Sequence, residues 1–112
     1  MNNPTSKKIQ LRRMLITEIS ITQDSTACIL YQVPFELTQS PSRTWKEILL
    51  NIWCSTTTKN SKFSGTAVWV LHNRILVNNI PNELAGTELE TLVATAVDKT
   101  NNQMAMRSKL TI

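Results

Sequence analysis

The sequence predicts an α+β fold: a four-stranded, mostly antiparallel sheet in β-β-α-β-β-α order, with two helices packed on one face. Three observations carry it. Trp45, Ile48, Leu49, Ile52 and Trp53 fall at i, i+3, i+4, i+7 and i+8, which lines one face of a helix. Leu89, Leu92, Val93, Ala96 and Val97 repeat that spacing. Each helical stretch is preceded by segments whose apolar residues alternate, the period of a strand covered on one side. At 112 residues the chain is the size of one domain.

Met1–Lys8 is polar without periodicity, and residues 1–10 are read as a mobile basic arm. The ordered domain is expected over 11–106. Its first strand spans Leu11–Thr22, with Leu15, Ile19 and Ile21 facing one way and Met14 and Ile16 as apolar exceptions on the other face. Gln23–Thr26 is a turn cluster without glycine, so a longer loop is expected. The second strand, Ala27–Leu37, alternates most clearly. Pro34 removes one ladder donor from it, which points to an edge position or a bulge.

The first helix begins at Ser40 or Ser42, either of which can cap it, with Pro41 in the first turn where its missing N–H costs nothing. Ser55–Lys62 has no apolar side chain and reads as a solvated loop. Thr66–Leu71 is a strand apolar on both faces, which suggests a central position. His72-Asn73-Arg74 is the turn, with Asn73 suited to a positive φ, and Ile75–Ile80 returns. Asn82–Gly86 is a short helical turn, and Thr87 with Glu90 forms a capping box for the second helix. Residues 107–112 read as a C-terminal tail.

The net charge of +4 is unevenly placed. Lys7, Lys8, Arg12 and Arg13 with no acid give residues 1–13 a charge of +4, and Arg107 with Lys109 gives residues 103–112 a charge of +2. Residues 14–102 hold six bases against all eight acids, a charge of −2. Basic character therefore belongs to the ends. Lys7, Lys8, Arg12 and Arg13 are candidate phosphate contacts of a nucleic-acid-binding accessory protein, without sequence reading.

Little in the sequence points to catalytic chemistry. Two glycines, Gly65 and Gly86, cannot build a glycine-rich phosphate loop. Cys28 and Cys54 have no zinc-type spacing and read as small buried thiols. His72 is the one histidine and lies in a turn. Glu18 and Glu36 could face each other as paired carboxylates, although surface glutamates are the plainer reading. Ser40-Pro41 is a minimal proline-directed phosphorylation pattern with almost no information. No catalytic, cofactor-binding or metal residue is assigned, and none of the usual cofactors is called for. No apolar run is long enough to span a membrane and no signal-like segment opens the chain, so a cytoplasmic setting is expected.

The sheet face opposite the helices should carry Met14, Ile16, Leu30, Val68 and Val70. An apolar face without a cover usually meets a partner. The expectation is a non-enzymatic protein–protein interaction module, binding itself or another protein, as a homo-oligomer or as a small subunit of a larger assembly. A one-residue slip in register would exchange the two faces.

Overall fold

The computed structural model describes residues 8–24, 29–59 and 61–110. It is an α+β fold with one antiparallel sheet of five strands rather than four. The additional strand arises because the first predicted strand is broken in two. Leu11–Met14 forms β1 and Ser20–Asp24 forms β2, with a 3₁₀ turn at Ile16–Glu18 between them. Both pair antiparallel with β3, Ile29–Leu37.

Pro34 accounts for the break. It lies on β3 opposite the gap between β1 and β2, and its carbonyl accepts the Leu15 N–H at 2.8 Å. The nitrogen and carbonyl of an extended residue point to the same side, so the donor that proline lacks would also have faced this gap. An unbroken neighbour would have left a carbonyl unpaired there. Pro34 therefore marks neither an edge nor a bulge of its own strand: β3 is central, and its neighbour gives way. The break also shifts the phase of the pattern. Ile21 is exposed, whereas Met14 and Ile19 pack against the core.

On the far side of β3 lies β5, Arg74–Pro81, and beyond it β4, Ala67–Leu71. Among the described residues β4 pairs with β5 alone, so it is an edge strand and not the central strand expected from its two apolar faces. Asn79, at φ 65°, is the extra residue of a bulge opposite Gln32. The bulge explains the broken alternation of β5: Ile75 and Val77 face the core, and Ile80 rejoins them after the inserted residue.

Helix α1, Arg43–Lys59, is longer than its apolar pattern. Ser42 is the cap, its Oγ accepting the Trp45 N–H at 3.2 Å, so Pro41 lies just outside the helix. The stretch read as a loop from Ser55 is helical to Lys59. Thr57 Oγ1 donates to the Trp53 carbonyl at 2.8 Å, and Thr58 Oγ1 to that of Cys54 at 2.6 Å. Each hydroxyl is thus satisfied within the helix, and Thr57 can be buried. Helix α2, Thr87–Leu110, already includes the expected cap Thr87 as its first residue, with the Gly86 carbonyl accepting the Glu90 N–H. It continues through Thr100, whose Oγ1 donates to the Ala96 carbonyl, and takes in residues 107–110, which are therefore helix and no separate tail.

Both helices close one core with Val33, Phe35, Leu37, Ile75, Val77 and Ile80 from the sheet. Burying such side chains is worth about 1.5–3 kcal/mol each before entropy is subtracted. The N-terminal segment joins this core earlier than expected. Ile9 is buried, its carbonyl accepts Asn101 Nδ2 at 2.7 Å, and the Gln10 N–H donates to Thr38 Oγ1 at 3.0 Å. Ile9 and Gln10 therefore do not belong to the arm expected over residues 1–10, of which residues 1–7 lie outside the described residues. Among the described residues no helix is long and apolar enough to cross a membrane.

Candidate functional site

The face of the sheet turned away from the helices is organised by strand register into three bands. Leu71, Arg74 and Glu36 stand side by side across β4, β5 and β3. The next row on this side is Trp69, Leu76 and Pro34, of which Trp69 is exposed, Leu76 half-buried and Pro34 buried. The third pairs Ala67 with Asn78, whose Oδ1 accepts Gln32 Nε2 at 2.7 Å. An apolar band thus lies between a charged one and an amide one.

The charged band is closed upon itself. A bulge in β1 sets both Arg12 and Arg13 opposite Glu36, and Arg13 Nε donates to Glu36 Oε1 at 3.0 Å while Arg12 Nε stands 4.0 Å from it. Arg74 pairs with Glu18 across the same face. Such exposed pairs contribute at most about 1 kcal/mol each. Their consequence is geometric: they align charge along one border and leave the middle apolar.

Trp69 is 63% exposed and Leu71 55% exposed, both on the edge strand. Among the described residues, β4 carries no charge, no proline and no bulge, three of the devices that usually protect a sheet edge. Along it runs a groove of about 450 Å³ between β4 and the second half of α1, lined by Leu50, Trp53, Cys54, Thr57, Thr66 and Val68 among others. Its floor is fixed. Trp53 Nε1 donates to Thr66 Oγ1 at 3.1 Å, and that hydroxyl donates to the Phe63 carbonyl at 2.6 Å.

The residues expected on the open face are not gathered there. Val68 is buried in the core, and Val70 and Met14 pack against it. Ile16, 70% exposed, lies on the 3₁₀ turn between β1 and β2. Leu30 is half-buried beside a second hollow of about 300 Å³ with Gln23, Asn79 and Pro81. The open apolar face exists but belongs to the other set, Trp69, Leu71 and Leu76. The signal that finds them is the turn. Only His72 and Asn73 intervene between the strands, which sets Leu71 opposite Arg74. Arg74 must face water, so Leu71 and, by alternation, Trp69 face outward too. Reading Arg74 into the turn reverses that parity. The positive φ of the turn falls on His72, at 55°, and not on Asn73.

Of the candidate phosphate contacts, Arg12 and Arg13 meet Glu36, Lys8 is exposed, and Lys7 lies outside the described residues. Glu18 and Glu36 each hold an arginine rather than each other. His72 is exposed on its turn; Cys54, expected to be buried, is exposed in the groove, and Cys28 lies outside the described residues. Among the described residues no three His, Cys, Asp or Glu side chains lie close enough to hold a metal ion. Comparison with protein-family models, with curated proteins and with solved structures finds no significant match.

Proposed function

We propose that this chain is a non-enzymatic protein–protein interaction module, working as a homo-oligomer or as a small subunit of a larger assembly. Its working surface is β4 together with the apolar band beside it. One observation carries the reading: a tryptophan 63% exposed at the centre of an uncharged edge strand. Tryptophan is among the residues that concentrate binding energy at interfaces, and an unguarded edge offers backbone hydrogen bonds to a second chain.

The test is a photo-crosslinking amino acid placed at Leu71 in the cells that make the protein, with Thr95 on the exposed face of α2 as the control position. A discrete crosslinked protein species from Leu71, lost on Trp69→Ser and not seen from Thr95, is expected. No species from Leu71, or the same products from both positions, would overturn the reading.

A further inference from the structure

The free edge of β4 offers its backbone groups in a symmetric set that a second copy can match. In a two-residue hairpin the residues flanking the turn bond to each other. Here these are Leu71 and Arg74, and the alternate pairs Trp69–Leu76 and Ala67–Asn78 follow. Val68 and Val70 therefore turn their N–H and C=O groups away from β5, toward the free edge. They stand symmetrically about Trp69, the middle residue of β4.

We infer that a second copy of this chain pairs its own β4 antiparallel with this one, about a two-fold axis through Trp69. This rests on the reading of β4 as a binding surface and names its partner. The two-fold sets Val68 against the other copy's Val70 in both halves, giving about four backbone hydrogen bonds. Trp69 then meets its own twin in a non-hydrogen-bonded pair, the kind in which side chains come closest and aromatic pairs gain most. Ala67 lies opposite Leu71, a small side chain beside a large one.

Charge permits the same arrangement. β4 contributes none to the seam, and the bases near its two ends are already matched: Lys62 lies 3.3 Å from Glu88, and Arg74 pairs with Glu18. On the helical side the axis brings the two α1 helices to either side of the seam. Leu50, exposed at the groove, then faces its counterpart over the joined edges.

A charge exchange at the axis tests this, because only there does a residue meet itself. The purified full chain should sediment as a dimer at about 100 µM, above the dissociation constants expected of small specific interfaces. Trp69→Lys alone and Trp69→Glu alone should each be monomeric, since each opposes like charges. Mixed in equal amounts, they should form a one-to-one heterodimer in native mass spectrometry. Circular dichroism of the variants should match the parent, as Trp69 is mostly exposed. In the parent the Val68 and Val70 amides should exchange slowly, and in Trp69→Lys at least about tenfold faster. A monomeric parent, a dimer that survives either single substitution, or variants that do not recombine would overturn the inference. If the parent is monomeric while Leu71 still crosslinks to a different protein in cells, the self-pairing falls and the interaction reading stands.

Discussion

At the residue scale, one side chain joins three parts of the chain that are remote in sequence. Asn101 accepts Trp45 Nε1 at 3.0 Å with its Oδ1 and donates its Nδ2 to the Ile9 carbonyl. It thereby ties α2 to α1 and to the segment entering β1. Asn101→Leu leaves a buried indole N–H and a backbone carbonyl without partners, which should destabilise the fold by about 2 kcal/mol. Asn102→Leu, one residue on and exposed, should shift it by less than about 0.5 kcal/mol. Urea unfolding followed by tryptophan fluorescence measures both, and equal effects would deny Asn101 this role. Little of this was legible in the sequence. The apolar spacing of α2 ends at Val97, and nothing in Thr100-Asn101-Asn102-Gln103 says which amide faces inward. That choice is made by contacts with residues 56 and 92 positions away.

At the element scale, both helices were legible from apolar periodicity, and β3 and β5 from alternation, because those signals come from burial on one side. The failures share a cause: polar or proline residues whose hydrogen bonding is settled by a neighbour. Pro34 reads locally as a defect of its own strand, yet its consequence is the break between β1 and β2. Thr57 and Thr58 read as loop, yet their hydroxyls return to the Trp53 and Cys54 carbonyls and carry α1 to Lys59. The helical phase can be tested directly. Thr57→Asp forces a carboxylate into a buried site beside Trp53 and should cost about 3 kcal/mol. Thr58→Asp, exposed on the next position, should stay within about 0.5 kcal/mol. A loop would tolerate both, so near-equal urea midpoints would remove the extra turns of α1.

At the scale of the whole molecule, the two edges of the sheet are built differently, and this fixes how association ends. The β1–β2 edge is interrupted by a 3₁₀ turn and distorted by a bulge in each strand, at Leu11/Arg13 and Ile21/Gln23, and β1 places Arg12 and Arg13 there. These are the features that prevent a strand from adding. β4 has none of them. A sheet with one open edge can join only one other such edge, and the joining consumes both. The outcome is a closed pair, where two open edges would give an unlimited ribbon. The strand is short, so its seam is small and the dissociation constant should be roughly micromolar. Light scattering across a concentration series should therefore show mass rising to two chains and no further. Its midpoint should move to at least about tenfold higher concentration in Leu71→Lys, which sets a charge against Ala67 of the other copy without opposing it to itself. Mass that keeps climbing past two chains would mean that the β1–β2 edge also recruits strands, and the asymmetry of the sheet would no longer explain where assembly stops.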